Sequence, residues 1–211
     1  MRRIEFIERC LRQIYGDNPN DDSSITYNLV NSWLQDATAV AAKQNNKENI
    51  ALEGISFTNN SFYTTFKGLT ITYNDRFLYR VTLPQIPLGI GTSDGVSTAV
   101  LKDTDGAITY PIVLISQNQR TYSPGMRPIP NKLIGYIEGE YMYLISTYII
   151  TDMTASVTMI SAGDSTDLNS TLNVPSDYFP IIVDYIKQQL LFEKTQPVDT
   201  TNNGKDVNPE A

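Results

Sequence analysis

Apolar residues return at every third or fourth position at the start of the chain. Ile4, Ile7, Leu11 and Ile14 fall on one stripe, the spacing of an amphipathic helix. Gly16 is a natural stop, and Asp17-Asn18-Pro19-Asn20 carries on the turn. A second stripe joins Ile25, Leu29, Trp33, Ala37 and Ala41, with Val30, Leu34 and Val40 beside it. Ser23 or Ser24 can cap that helix, and the polar run from Gln44 to Asn49 reads as its exit. Residues 1–48 are therefore expected to form a helical hairpin. Two helices alone bury too little apolar surface, so the hairpin needs something to pack on.

Beyond residue 48 the period shortens. Runs rich in Val, Ile, Thr, Tyr and Phe alternate with clusters of Gly, Asn, Asp and Pro, which predicts short strands joined by turns. The expected strands are Ala51–Thr58, Phe62–Phe66, Leu69–Tyr73, Phe77–Leu83, Ser97–Lys102, Tyr110–Ile115, Leu133–Glu138, Tyr141–Tyr148 and Ala155–Ile160. Asp103-Thr104-Asp105-Gly106 and Glu138-Gly139-Glu140 read as hairpin turns. Residues 49–161 are thus read as a mainly antiparallel β-sandwich or barrel. Its loops at 84–96 and 117–131 are long, a length that points to function or to ordering by a neighbour.

Val174-Pro175-Ser176-Asp177 announces a closing helix, with Phe179, Ile182, Val183, Ile186 and Leu190 on its apolar face. Pro180 belongs in its first turn, where a missing N–H costs little. Residues 162–196 are read as linker and closing helix, packed with the N-terminal helices. Residues 197–211 are read as an extended polar tail that cannot order itself. The fold class is α+β, with helices flanking a β domain.

Composition narrows the chemistry. The 211 residues suffice for one sizeable core with appendages. Only 18% are charged, so much of the polar surface is Thr, Ser, Asn and Gln. The net charge of −7 argues against tight nucleic-acid binding, because an acidic chain gains no counterion-release energy. Charge is uneven, however: Arg2, Arg3, Arg9 and Arg12 crowd the first dozen residues. They read either as the solvated face of a helix or as a docking edge for an acidic partner.

The chain has no histidine and a single cysteine, Cys10. No zinc site and no intrachain disulfide can be assembled from such a set. A serine or cysteine hydrolase lacks its usual base. Cys10 lies in an apolar-periodic segment and reads as a core residue. Glu138/Glu140 and Asp103/Asp105 are candidate acid pairs for glycosidase chemistry, but both sit in expected turns where acids are solvated. Asp103-x-Asp105-Gly106 opens like a calcium loop but lacks the later acidic ligands. Gly89-Ile90-Gly91-Thr92 follows no strand and precedes no helix, so it is no phosphate cradle. No secretory signal is visible, because charges interrupt the first residues. The longest apolar stretch, Tyr141 to Ile150, is too short for a membrane helix. Neither a cofactor nor a membrane is expected as a partner. The reading is a non-enzymatic assembly protein.

Thirteen tyrosines remain to be placed. Tyr136, Tyr141, Tyr143 and Tyr148 cluster on neighbouring expected strands. Such a group serves as cross-strand packing, as interface material or as a sugar platform. The last use keeps open a second reading, a carbohydrate-binding β-sandwich module used for recognition.

The order of parts then becomes informative. A helical hairpin precedes Tyr79-Arg80-Val81-Thr82-Leu83-Pro84-Gln85-Ile86-Pro87-Leu88-Gly89-Ile90-Gly91. The hairpin Gly135-Tyr-Ile-Glu-Gly-Glu-Tyr-Met-Tyr143 follows, and a helix closes the chain after Val174-Pro-Ser-Asp-Tyr-Phe-Pro180. This arrangement resembles the neck, or head-to-tail connector, ring proteins of tailed bacteriophages, particularly crAss-like podoviruses. The resemblance spans most of the chain and rests on architecture. It implies a virion protein made in the host cytoplasm and a homo-oligomeric ring of about twelve copies, closed by one repeated interface. It also implies a place beneath the portal, among other neck and tail proteins, around the path of the viral DNA. The residues expected at protein interfaces are Arg2, Arg3, Arg9 and Arg12 in the first helix, Pro84, Ile86 and Pro87 in one long loop, Tyr122 and Met126 in the other, and Val198 in the tail.

Overall fold

A computed structural model describes residues 1–15, 27–75, 78–90, 95–103, 109–116, 133–146, 150, 152–163 and 166–195. Two helices open the fold, α1 (Arg3–Tyr15) and α2 (Tyr27–Glu53). Seven strands follow: β1 (Tyr63–Asp75), β2 (Leu78–Thr82), β3 (Val96–Asp103), β4 (Thr109–Leu114), β5 (Leu133–Glu138), β6 (Tyr141–Ile145) and β7 (Met153–Ile160). A short 3₁₀ turn, Ser176–Tyr178, leads into α3 (Phe179–Thr195). Pro180 lies in the first turn of α3, as its chemistry requires.

The strands close into a barrel in the order β1-β2-β6-β5-β4-β3-β7, and β7 pairs back onto β1. Of the two architectures the pattern allowed, the chain adopts the barrel. Closure removes the exposed edges on which other chains would add strands. Every neighbouring pair is antiparallel except β4 with β5. Parallel neighbours cannot be joined by a tight turn, so the stretch between them has to be long. That stretch contains 117–131, which lies outside the described residues.

Alternation sets the barrel interior. Tyr79 and Val81 of β2, Met142 and Leu144 of β6, and Ala155, Val157 and Met159 of β7 point inward together. Phe66, Leu69 and Ile71 of β1 also pack there, yet Phe66 and Leu69 are an odd number of positions apart. A register shift between them restores the phase, and Gly68 supplies a φ of +70° at the kink. The sequence therefore read as two strands what is one strand with a bulge. β3 uses the same device between Val96 and Thr98. The Glu138-Gly139-Glu140 turn joins β5 to β6, with Gly139 at φ +60°.

The predicted strand Ala51–Thr58 does not form. Helix α2 runs through the polar exit and ends at Glu53, where Gly54 takes φ +72° and its N–H bonds to the Ile50 carbonyl. The polar run stays helical because its amides serve the returning chain. Asn46 and Asn49 donate to the Phe57 carbonyl, and Asn45 accepts from the Asn59 N–H at 2.8 Å.

A second core joins the helices to one end of the barrel. Phe6, Ile7, Cys10 and Leu11 of α1 meet Val30, Leu34, Ala37 and Ala41 of α2 and Ile182, Ile186 and Leu190 of α3. Phe62, Ile90 and Ile160 bring the barrel end into the same cluster. The segment 83–90 crosses between the two cores. Leu83 belongs to the barrel interior, and Leu88 and Ile90 to the helical core.

Candidate assembly interface

The four expected arginines do not act alike. Arg2, Arg9 and Arg12 are exposed. Arg3 is fully buried and is removed from the expected docking edge. Its guanidinium donates to Asn31 Oδ1 at 3.3 Å and to the carbonyls of Ala162 at 3.1 Å and Gly163 at 3.4 Å. A buried cation must be surrounded by acceptors, so Arg3 acts as an internal strut between α1, α2 and the exit of β7. Backbone bonds run alongside it: Arg3 N–H to Ser170 O and Leu172 N–H to Met1 O. Arg2 pairs with its own helix, its N–H donating to Glu5 Oε2 and its Nε lying 3.8 Å from Glu5 Oε1. Arg9 and Arg12 form no ion pair among the described residues.

The strap 83–90 is held from both sides and displays two apolar side chains, Pro84 and Ile86. Gln85 donates to the Ile160 carbonyl at 2.8 Å, and its Oε1 accepts from Ser161 Oγ–H at 3.0 Å. Gly95, at φ +77°, lies so close that a Cβ on it would sit 2.0 Å from the Leu88 carbonyl oxygen. Within this clamp Pro84 and Ile86 face outward, Ile86 at 65% exposure, while Pro87 is half-buried. An apolar residue on a pre-ordered loop costs little entropy to dock. Tyr122, Met126 and Val198 lie outside the described residues.

The largest apolar exposure was not read from the sequence. At the C-terminal end of α2 and just past it, Ile50, Leu52, Ile55 and Phe57 all face solvent, Leu52 at 83% and Ile55 at 61%. Assigning 51–58 to a strand hid them, since half of a strand is expected to face outward. Leu191 and Phe192 form a second exposed group in the last turn of α3. The two groups are far apart. Tyr178, just before α3, accepts from Asn45 Nδ2 at 2.9 Å and donates to Glu48, so α3 begins beside the end of α2. Phe192 then stands about 20 Å along α3 from that point, at 1.5 Å per residue.

Titratable groups add detail. Burial pushes the Cys10 thiol up to about 12, and nearby Arg9 and Lys187 only partly offset this. It stays protonated, as a core residue does. The hydrogen bond from Tyr178, with a second from Gln44, holds the Glu48 carboxyl below its ordinary value. Desolvation first, then Glu48, raises the Tyr178 phenol. The described residues hold no group of three or more His, Cys, Asp or Glu side chains that could bind a metal ion. No described helix is long and apolar enough to cross a membrane.

The tyrosines form a ladder on the outer wall of the barrel. Tyr136 and Tyr143, register partners on β5 and β6, stack at 5.1 Å and 17°. Tyr141 packs on Tyr143 at 6.3 Å, and the Arg80 guanidinium lies 4.7 Å over the Tyr141 ring. Glu140, by hydrogen bond and charge, raises the Tyr141 phenol. Tyr136 is only 3% exposed, so this ring is spent on packing. Tyr148 lies outside the described residues. Glu138 and Glu140 are exposed in their turn.

No curated protein sequence matches the chain. The family model described as phage tail ring protein 2, of the crAss type, matches residues 5–208, nearly the whole length. It covers both helical ends, the barrel and most of the polar tail. A phage, a virion tail and a ring of assembled subunits follow from that match. The chain belongs to the crAss-like phage tail ring protein 2 family.

Proposed function

We propose that this chain is a non-enzymatic subunit of the head-to-tail connector, seated beneath the portal, where it joins capsid to tail and surrounds the DNA path. The observation that carries the reading is the pair of separated apolar groups on one helical layer, Ile50–Phe57 and Leu191/Phe192. A ring is built from one heterologous contact, which needs two different patches on each subunit. A closed barrel removes the competing route of edge-to-edge strand pairing. Family membership supplies the ring. About twelve copies close it, a number taken from the resemblance and compatible with any cyclic heterologous contact. The net charge of −7 suits a wall past which DNA slides without being held. Arg2, Arg9 and Arg12, the strap residues Pro84, Ile86 and Pro87, and Tyr122, Met126 and Val198 are the joints to neighbouring copies, the portal and other tail proteins. The protein is made in the host cytoplasm and acts in the virion.

Native mass measurement of the purified chain, alone and mixed with its portal, tests this reading. A discrete multiple of the 23.6 kDa subunit is expected in at least one of the two samples. A monomer in both overturns the proposal.

A further inference from the structure

Large apolar side chains face solvent in two ways. Val40, Tyr73, Ile86 and Val113 stand singly along the sequence, as on most protein surfaces. Ile50, Leu52, Ile55 and Phe57 stand together, and Leu191 and Phe192 are adjacent. Every residue from 50 to 57 is exposed, so the corner after α2 stands proud of its own chain. The corner is also pre-ordered. Gly54 turns it at φ +72°, and the Asn46 and Asn49 amides hold the Phe57 carbonyl at 3.0 Å each. A surface fixed in advance loses little entropy on docking.

Area decides whether these groups suffice for a contact. With about 200 Å² for a large side chain, the six together uncover about 700 Å². A stable interface starts near 1,200 Å² in total, of which about 700 Å² is apolar. The α3 group of one copy seated on the α2 corner of another therefore supplies the apolar share of one such interface.

A single copy cannot make this contact with itself. Tyr178, in front of α3, is hydrogen-bonded to Asn45 and Glu48 near the end of α2. Leu191 and Phe192 stand about 20 Å further along α3. Both helices belong to one packed core, which fixes that spacing. Like groups could meet instead, corner on corner, but such a contact is two-fold and closes at two copies. A ring, the assembly of the matched family, repeats a contact between unlike groups. We propose that Leu191 and Phe192 of each copy seat on the Ile50–Phe57 corner of the next, as the contact that repeats around the ring. This rests on the ring reading above.

The full chain is suited to cysteine cross-linking, because Cys10 is its only cysteine, is fully buried and has its thiol pushed up to about 12. Ala51→Cys and Gln188→Cys place thiols on exposed positions beside the two groups and keep all six apolar side chains. The double variant is assembled, alone and with its portal, and a short bismaleimide is added. A ladder of covalent multimers joined through positions 51 and 188 is expected. Each single variant should stay uncross-linked, and a mixture of the two should give dimers only. Ile55→Asp added to the double variant should lower the ladder yield about tenfold, the weight of one lost apolar side chain. Dimers from a single variant, links mapped elsewhere, no ladder, or a yield indifferent to Ile55→Asp overturn the pairing. The native mass of the wild type is recorded alongside. An oligomeric wild type with any of these results removes the pairing and leaves the ring. A monomeric wild type in both samples removes both.

Discussion

The barrel interior and the helical core hold the same kinds of side chain but end differently. The barrel closes on itself, and inward residues from all seven strands gather in one interior cluster. Its outward face carries packed tyrosines and polar side chains, with Val113 and Tyr73 as scattered exposed apolar positions. The helical layer covers one end of the barrel and stops. Its inner faces are satisfied, yet its two ends carry Leu52 with Ile55 and Leu191 with Phe192 in solvent. A closed sheet has no unfinished boundary, whereas a layer of helices keeps one wherever it runs out of partners. The largest exposed apolar side chains at a boundary of the fold therefore lie at the ends of α2 and α3, on the layer that the barrel carries.

That comparison can be broken most forcefully from inside the barrel. Leu144→Ala should cost about 2–5 kcal/mol, because the closed wall cannot collapse around the cavity. Trp33, the single tryptophan, packs against the helical core and reports on that region. The strap and Phe62 tie the two cores together, so the Trp33 fluorescence transition in denaturant should shift with the barrel mutation. A Trp33 midpoint that stays in place would show two regions unfolding independently.

The tie itself is tested by Gly95→Ala. The added Cβ meets the Leu88 carbonyl at 2.0 Å with φ at +77°, and a cost of about 1–3 kcal/mol is expected. Hydrogen exchange at 83–90 should quicken more than exchange in β6. Uniform protection across both would contradict the role assigned to the strap.

Tyr178→Phe probes the junction of α2 with α3. It removes the bonds to Asn45 and Glu48 and should cost at most about 1 kcal/mol, since solvent screens Glu48. The sign with pH follows from the lowered Glu48 value. That contribution is present above the unfolded value of 4.5 and is lost as pH falls through the folded one. Between neutral pH and pH 3 the variant should lose less stability than the wild type. Parallel acid limbs in thermal melts would refute the assignment.

The smallest effect on stability should accompany the largest effect on assembly. Leu52→Asp with Ile55→Asp changes exposed positions, so the monomer should stay within about 0.5 kcal/mol of wild type. Native mass should nevertheless fall to that of smaller species. A ring of unchanged mass would free the end of α2 from the interface and move the contact elsewhere on the layer.

Much of the fold was legible because periodicity is local. The stripes of Ile4–Leu11, Leu29–Ala41 and Phe179–Leu190 announced three helices. Alternation announced β2, β5, β6 and β7, and Glu138-Gly139-Glu140 announced a turn. Where local signals failed, a distant partner was responsible. Asn45, Asn46 and Asn49 look like a helix exit until Phe57 and Asn59 return to use their amides. The phase slip at Gly68 looks like a strand break until β7 pairs on both sides of it. Arg3 resembles its exposed neighbours until Ala162 and Gly163 supply the carbonyls that bury it.

The interface was legible only in kind. The absence of histidine and the lone cysteine narrowed the chemistry, and the order of parts pointed to a ring. Those are properties of composition and sequence order, and the sequence alone determined them. Whether the sheet becomes a sandwich or a barrel is set by which strands become neighbours. So are the need for a long connection between β4 and β5 and the apolar residues left in solvent at the ends of α2 and α3. Neighbourhood is a non-local property: it emerges when segments as distant as β1 and β7 pair, and only the tertiary structure decided it.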